Sequence, residues 1–176
     1  MAGFLNPEEI LKEIELNPNM VAADFGCGAG GFTIALAKRL NQGLIYALDI
    51  QKEALSVLKS RCLFQKINNV NPVFADLEKG RIPGIFDNSL DLVFIINLLF
   101  QVDRKDAIIL ESKRVLKKGG NLIIVEWLPE KLNFFFENAG ISIERLKEII
   151  KKTGGLAIKK KFMPGECHYG LVFEKL

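Results

Sequence analysis

"VAADFGCGAGGF", residues Val21 to Phe32, decides the fold, because a short apolar run leads directly into four glycines within six positions. Glycine loses more conformational freedom on folding than any other residue, so such a cluster indicates a tight turn or a ligand that touches the main chain. Residues 31–40 then show apolar positions at helical spacing. The stretch therefore predicts a buried strand, a glycine turn and a helix.

The same alternation of strand and helix continues along the chain. Strands that are apolar throughout are typical of a parallel sheet covered on both faces. Their alternation with helices predicts right-handed βαβ units and a doubly wound sheet. The predicted strands are 21–25, 44–49, 72–76, 90–96 and 121–127, and the predicted helices are 31–40, 52–67, 103–117 and 142–153.

The end of the chain follows a different pattern. "GLAIKKKFM" and "HYGLVFEKL" are separated only by residues 164–167, too few for a crossover, so these last two strands are expected to be antiparallel. The predicted fold is α/β: a doubly wound, Rossmann-like, mostly parallel seven-stranded sheet with an antiparallel C-terminal hairpin and helices on both faces. Residues 1–176 are expected to form a single domain, with residues 1–20 as an N-terminal cap segment containing a helix at about 7–16.

Composition narrows the class of protein. The 176 residues are 49% hydrophobic and 26% charged with a net charge of +3, which indicates a soluble globular protein without a strong electrostatic pull toward nucleic acid or membranes. The three scattered cysteines predict neither a disulfide framework nor a zinc site, and favour a cytoplasmic location. The longest apolar stretch, residues 92–100, is too short to span a bilayer. No metal site is expected.

The glycine loop is the predicted ligand site, because ligands of doubly wound sheets bind at the carboxyl ends of the strands. Gly26, Gly28 and Gly31 satisfy the G-x-G-x-x-G pattern of dinucleotide binding, and Asp49 follows at about the spacing of a ribose-binding acid. These four residues alone are consistent with an NAD-dependent oxidoreductase.

Three acids favour a different nucleoside. Asp24, Asp49 and Asp76 lie at the ends of three successive predicted strands. Carboxylates suit a ligand that carries a cation and neutral hydroxyls better than one that carries a pyrophosphate. A nucleoside-binding module without turnover is a further alternative. Asp49 and Asp76 are also placed to cap the helices that follow them.

Five ordered motifs resemble those of the class I S-adenosylmethionine-dependent methyltransferases, from about Ile10 to the end of the chain. "VAADFGCGAGGF" is similar to their first motif, "IYALDI" to the second and "NPVFADLE" to the third. "NSLDLVFIINLLFQV" resembles their fourth strand, and "ESKRVLKKGGNLIIVEW" their fifth-strand segment. Within this family the chain looks most similar to small ubiquinone/menaquinone-type C-methyltransferases.

The resemblance implies S-adenosylmethionine as the cofactor and assigns roles to the glycine loop. Gly26, Gly28 and Gly30 would let the backbone approach the methionine and ribose portions. Asp24 would order the turn and face the aminoacyl end.

The resemblance also assigns the following strand ends. Asp49 would accept both ribose hydroxyls, Ile50 would lie against the adenine, and Asp76 would accept from the adenine amino group while the Leu77 amide reads the ring. The implied cofactor-binding residues are Asp24, Gly26, Gly28, Gly30, Asp49, Ile50, Asp76, Leu77 and Asn97.

The acceptor site is expected where strands four and five end and the antiparallel last strand begins. This reasoning brings Asn97, Glu126–Trp127 and His168–Tyr169 toward one mouth, with His168, Tyr169 and Asn97 as catalytic candidates and His168 as the candidate base. Solvation of His168 in the hairpin and packing of Trp127 and Tyr169 are the alternatives. Asn97 also occupies the place of the N-P-P-Y motif of amine-methylating relatives, but both prolines are missing.

The segment Phe134–Phe136 is interpreted as a lid over this mouth, with packing on the sheet edge or a dimer contact as the alternatives. Methyl transfer to a small, partly apolar acceptor is therefore the predicted function. Nucleic acid and protein substrates remain open, as does the choice between monomer and homodimer.

Overall fold

The computed structural model describes residues 5–132 and 140–176, within which seven strands form one sheet. The strands are β1 (Val21–Phe25), β2 (Leu44–Asp49), β3 (Val70–Phe74), β4 (Leu90–Ile96), β5 (Leu116–Trp127), β6 (Leu156–Phe162) and β7 (His168–Lys175). The helices are α1 (Pro7–Leu11), α2 (Gly31–Arg39), α3 (Lys52–Phe64), α4 (Lys105–Val115), α5 (Pro129–Leu132) and α6 (Ile143–Thr153). Two short 3-10 helices cover Leu77–Lys79 and Leu99–Gln101.

The order of strands across the sheet is β3-β2-β1-β4-β5-β7-β6. Strands β1 to β5 pair in parallel, whereas β7 runs antiparallel to both β5 and β6. The predicted seven-stranded sheet with an antiparallel C-terminal hairpin is confirmed. Because β7 reverses direction, its first residue, His168, pairs with the last residue of β5, Trp127.

Helices cover both faces of the sheet, as predicted. On one face, α1 and α2 pack against the strands in an apolar cluster that contains Ile10, Leu36 and Phe94. On the other face, α4 and α6 contribute Ile108 and Leu146 to a second cluster. Successive residues of a strand point to opposite faces, so the uninterrupted apolar strands of the sequence feed both clusters.

The glycine turn after β1 is locked to the neighbouring strand. The N–H groups of Gly26 and Cys27 both donate to the Leu48 carbonyl of β2, at 2.8 and 2.9 Å. Gly26, Gly28 and Gly30 have φ angles of 77°, 52° and 81°, in the left-handed region that side chains rarely adopt. A Cβ atom at Gly30 would also lie 2.2 Å from Cδ1 of Leu58, which is fully buried in α3. The turn therefore needs glycine for its backbone angles and for its packing.

Several element bounds differ from the sequence prediction. Helix α1 ends at Leu11 rather than near residue 16, and β3 covers 70–74 rather than 72–76, so Asp76 lies beyond the strand. Strand β5 begins at Leu116, before the two glycines that were expected to end the preceding helix. The register shift between Leu90 and Leu92 allows those glycines to lie within an irregular part of β5. None of the helices within 5–132 and 140–176 is long and apolar enough to cross a membrane.

We expect Gly30→Ala and Gly31→Ala to have opposite effects on stability. A Cβ at Gly30 meets Leu58 in a left-handed backbone, whereas one at Gly31 meets nothing within 4 Å, and Gly31 is the first residue of α2. The free energy of unfolding should fall by about 1–3 kcal/mol in Gly30→Ala. It should stay level or rise by about 0.4–1 kcal/mol in Gly31→Ala. Urea unfolding of the two neighbouring variants measures the difference, and equal stabilities would contradict this packing of the turn.

Candidate functional site

A pocket of about 390 Å³ opens at the carboxyl edge of the sheet, where the chain leaves β1, β2, β3 and β4. We call it the strand-end pocket. It contains seven of the predicted cofactor-binding residues: Gly26, Gly28, Asp49, Ile50, Asp76, Leu77 and Asn97. The other lining residues are Gln51, Ala75, Glu78, Leu98, Gln101 and Val102. Asp24 and Gly30, predicted for the same site, are buried and do not line the pocket.

Asp49 ties together the two loops that form one end of the strand-end pocket. One carboxylate oxygen, Oδ2, accepts from the Gly28 amide at 2.8 Å, and the other accepts from the Gln51 amide at the same distance. The N-cap of α3 is Gln51, so Asp49 precedes the helix rather than capping it. Each carboxylate oxygen can accept a further hydrogen bond, so the residue remains available to a ligand.

Asp76 and Ile50 form the neighbouring wall. Asp76 caps the 3-10 helix Leu77–Lys79, since its Oδ1 accepts from the Glu78 amide at 3.1 Å. The capping alternative that the sequence left open therefore holds for Asp76, although the residue still lines the pocket. Ile50 is 56% exposed although it is apolar, so a flat apolar ligand group could cover it.

Asp24 holds helix α2 against strand β1. It is buried, and its Oδ2 accepts from the Thr33 hydroxyl at 2.5 Å. Burial raises the pKa of the Asp24 carboxyl to about 6, and the nearby Asp49 carboxylate adds to the rise. The contact with Thr33 shows how Asp24 orders the segment that carries the glycine turn.

Among the described residues, the lining of the strand-end pocket carries acids and no lysine or arginine. Asp49, Asp76 and Glu78 all contribute to it. Lys79 pairs with Asp76 at 3.2 Å, but its side chain is 83% exposed and does not line the pocket. The pocket therefore favours a ligand with positive charge and hydroxyl donors over one with phosphates.

The wall at the other end is the segment Asn97–Leu99, which follows β4. The buried carboxyl of Glu126 holds this segment, because its Oε1 accepts from the Leu98 and Leu99 amides at 3.0 and 2.6 Å. The Leu98 side chain in turn lies so close to Gly26 that a Cβ there would meet it at 2.9 Å. Glu126 thus fixes the wall that closes over the glycine turn.

Glu126 is an unusual carboxyl. It is fully buried, its Oε2 has no hydrogen-bond partner among the described residues, and burial raises its pKa to about 8. At neutral pH the group is therefore mostly protonated, and it stabilises the wall without introducing a buried negative charge.

Asn97 and His168 meet as predicted, although they are 71 positions apart in the sequence. Asn97 Nδ2 and His168 Nε2 are 3.2 Å apart. His168 is 2% exposed, and its ring lies 4.1 Å from the Trp127 ring. The alternative of a solvated hairpin histidine is therefore wrong. Burial lowers the pKa of His168 to about 4, so the imidazole is neutral at physiological pH.

The structure contradicts the placement of Tyr169 and Glu126 at the same mouth as His168 and Trp127. Adjacent residues of a strand point to opposite faces, so neither consecutive pair can share one face. Tyr169 is fully buried in the cluster beneath α4 and α6, and its hydroxyl donates to the Ile141 carbonyl at 2.8 Å. Tyr169 is therefore a packing residue, and the packing alternative holds for it. The predicted lid, Phe134–Phe136, lies outside the described residues.

A second, apolar cavity of about 350 Å³ lies between α1 and the start of α2. Its lining residues are Leu5, Pro7, Ile10, Gly31, Phe32 and Ile96. Ile96 precedes Asn97 and Gly31 follows Gly30, so two of its lining residues are sequence neighbours of predicted site residues. Within residues 5–132 and 140–176, no group of three or more His, Cys, Asp and Glu side chains could hold a metal ion.

Sequence reasoning missed Thr33, Gln51 and the role of Glu126. Thr33 directly follows "GGF" in the first turn of α2, and its hydroxyl could have been predicted to donate to Asp24. The contact of the Gln51 amide with Asp49 spans two positions in the chain, which is the spacing of a local side-chain turn. The role of Glu126 had no local signal, because its partners lie on a segment 27–28 positions away.

We expect Glu126→Gln to become more stable relative to the wild type as the pH rises from about 5 to 8. In that range the carboxyl is ionised in the unfolded chain but protonated in the folded one, so wild-type stability falls as the pH rises. The difference should grow by up to about 1.4 kcal/mol per pH unit. Glutamine keeps a side-chain oxygen that can accept from the Leu98 and Leu99 amides. Urea unfolding at several pH values measures this, with the exposed Glu130→Gln as control, and parallel pH profiles would show that Glu126 ionises normally.

Comparison with known proteins agrees with this geometry. A family model described as a methyltransferase domain matches residues 16–154. A tRNA(Phe) (4-demethylwyosine(37)-C(7)) aminocarboxypropyltransferase of Methanocaldococcus jannaschii is 29% identical over 86% of this chain and 58% of its own length. A ubiquinone/menaquinone biosynthesis C-methyltransferase of Hydrogenovibrio crunogenus is 34% identical over 64% of this chain and 44% of its own length.

The chain thus spans about half the length of these two curated relatives. Among solved structures, a SAM-dependent methyltransferase from Aquifex aeolicus shares the fold, with a TM-score of 0.87, 24% identity, and coverage of 98% of this chain and 90% of that one. The match of the family model to most of the chain, on a sheet of the expected topology, shows that the protein belongs to the class I methyltransferases, whose cofactor is S-adenosylmethionine.

Proposed function

We propose that this chain holds S-adenosylmethionine in the strand-end pocket and transfers its methyl group to a small, partly apolar acceptor. The observation that carries the proposal is the charge of the pocket, which within residues 5–132 and 140–176 is lined by Asp49, Asp76 and Glu78 and by no lysine or arginine. A sulfonium cofactor brings a positive charge and neutral hydroxyls, which carboxylates accept, whereas a dinucleotide brings a pyrophosphate, which they repel.

The residues of the pocket fit the cofactor in three ways. Gly28 adopts a left-handed φ, and a Cβ there would meet nothing within 4 Å, so the backbone is open to a ligand. Asp49 keeps unused acceptor capacity for ribose hydroxyls, next to the exposed Ile50, against which an adenine would lie. Asn97 Oδ1 is buried and lacks a partner among the described residues, and such atoms are normally satisfied by a ligand or water.

The bound cofactor would supply an electrophilic methyl carbon on a sulfonium. The protein then mainly has to position an acceptor and exclude water, and such positioning contributes about 7–11 kcal/mol to catalysis in well-aligned reactions. Asn97 and His168 remain the candidate residues at the reacting end, since both lie where β4 ends and β7 begins.

The apolar cavity between α1 and the start of α2 supports a partly apolar acceptor. All six of its lining residues are apolar, and it adjoins the glycine turn at Gly31 and the wall at Ile96. Arginine or lysine would be expected there for a polyanion, and neither lines it.

The oxidoreductase alternative is weakened by Gly31. In the dinucleotide pattern the third glycine allows close packing of helix and strand, but a Cβ at Gly31 would meet nothing within 4 Å. Of the two neighbouring glycines, Gly30 is the one that is sterically required, and it does not belong to that pattern. A nucleoside-binding module without turnover would use the same pocket, so only a turnover experiment separates it from an enzyme.

A second candidate function follows from the relative that matches 86% of this chain, which is named as an aminocarboxypropyltransferase acting on tRNA(Phe). The same cofactor can donate either its methyl or its aminocarboxypropyl group, depending on which carbon of the sulfonium faces the acceptor. The two reactions leave different products, S-adenosylhomocysteine after methyl transfer and methylthioadenosine after aminocarboxypropyl transfer.

Replacement of Asp49 by alanine should weaken binding of S-adenosylhomocysteine by about 2–4 kcal/mol, because charge-assisted contacts to the ribose are lost together with the Gly28 amide contact. Titration calorimetry measures the affinity. Asp106→Ala, which removes an exposed acid outside the pocket, is the matched control and should bind like the wild type. Unchanged affinity in folded Asp49→Ala would place the ribose elsewhere.

The reaction itself is tested with two forms of S-adenosylmethionine, labelled in the methyl group or in the aminocarboxypropyl group, incubated with cell extract and the protein. We expect only the methyl label to be transferred, and to appear in an organic-extractable small-molecule fraction. Transfer of the aminocarboxypropyl label to RNA, with release of methylthioadenosine, would support the second candidate function instead. Binding without transfer of either label would support the non-catalytic module.

A further inference from the structure

We propose that His168 is a positioning residue that acts through Asn97, holding the Asn97 side-chain amide so that its oxygen accepts a hydrogen bond from the amino group of the bound cofactor. The proposal rests on the cofactor site proposed above. It replaces the expectation that His168 serves as a general base, and it gives the buried histidine a role in binding before any acceptor arrives.

The first observation is the state of the Asn97 amide. Its main-chain carbonyl accepts from Gln101 Nε2 at 2.7 Å, and its main-chain N–H donates to the Val125 carbonyl at 2.9 Å. Its side-chain Nδ2 is 3.2 Å from His168 Nε2. Only Oδ1 lacks a partner among the described residues, and it is buried. A buried acceptor of this kind needs a donor, and the pocket that Asn97 lines is the place from which a ligand can supply one.

The second observation is the backbone of Asn97. Its φ angle is 52°, in the left-handed region that is uncommon for a residue with a side chain. Asparagine tolerates this conformation better than most residues, yet glycine would adopt it without strain. This backbone can therefore carry an amide side chain at the wall of the pocket.

The third observation concerns the direction of the hydrogen bond between Asn97 and His168. When Asn97 Oδ1 is free, Asn97 Nδ2 is the donor, so His168 Nε2 must be the acceptor. A neutral imidazole with its proton on Nδ1 has a lone pair on Nε2, which receives the Nδ2–H of Asn97. Burial keeps the ring neutral, and it packs against the Trp127 ring at a tilt of 40°, with the ring centroids 4.1 Å apart. The lone pair is therefore committed to Asn97, which leaves it poorly placed to take a proton from an acceptor.

The order of strands explains which donor Asn97 would receive. Asp49 ends β2 and Asp76 lies beyond β3, on one side of β1, whereas Asn97 follows β4 on the other side. A cofactor whose ribose lies at Asp49 and whose adenine lies toward Asp76 extends its amino-acid end past the glycine turn toward β4. Its ammonium group is the donor that remains for Asn97 Oδ1.

The test compares binding of S-adenosylhomocysteine, without acceptor, to the full chain and its variants. His168→Phe keeps a flat ring against Trp127 but offers no hydrogen-bond acceptor to Asn97. It should raise the dissociation constant about tenfold. His168→Gln restores an acceptor at similar reach and should stay within about threefold of the wild type. Asn97→Gly keeps the left-handed backbone without the amide, and should weaken binding about tenfold by itself.

The decisive arm is the double variant. If His168 acts through Asn97, then His168→Phe should cause no further loss in the Asn97→Gly background. Val172→Ala is the control for general weakening of β7, since Val172 is buried on the same face of that strand and should leave affinity unchanged. Independent losses in the double variant, wild-type affinity in His168→Phe, or an equal loss in Val172→Ala would each overturn the inference while leaving the cofactor site intact. Failure of the wild-type chain to bind would overturn the proposed function and this inference together.

Discussion

The hydrogen bond from the Gly28 amide to the Asp49 carboxylate is the contact on which the site depends. Apart from Cys27 and Ala29 the glycine turn carries no side chains, so its position is set largely by contacts from neighbouring elements. Asp49 does this from β2, and the Leu48 carbonyl beside it receives the Gly26 and Cys27 amides. The second carboxylate oxygen of Asp49 holds the Gln51 amide at the start of α3. One strand end thereby aligns the two loops between which the pocket opens.

The opposite wall is held by a different physical device. The Asn97–Leu99 segment carries one left-handed residue and several amides that the sheet cannot satisfy. The buried carboxyl of Glu126, which remains mostly protonated at neutral pH, accepts hydrogen bonds from two of those amides. Strand β7, by running antiparallel, brings His168 to the same segment from the neighbouring position in the sheet. The site thus combines acids on one side, which can accept hydrogen bonds from ligand hydroxyl and amino groups, with neutral groups on the other.

Much of the fold could be predicted from the sequence, because apolar strands and glycine turns are local signals. Strands β1, β2 and β4 have the predicted bounds. The residues that line the strand-end pocket were also predictable, since parallel strands bring their ends to one edge. The direction of individual side chains was not. Tyr169 and Glu126 were assigned to the mouth by chain direction alone, but strand alternation turns both toward the cluster beneath α4 and α6. Chain direction predicted that Asn97 and His168 lie at one mouth, whereas their direct contact is visible only in the folded structure.

The contact of Gly30 with Leu58 has a consequence for engineering this fold. Leu58 belongs to α3, which the chain reaches only after β2, so the glycine turn and the third helix form one packing unit although they are not adjacent in sequence. A turn transplanted from another protein would fit only if its partner helix carried a side chain of matching size at this position. Redesign of the cofactor loop must therefore treat positions 30 and 58 as a pair. A larger side chain at position 30 would require a smaller one at position 58.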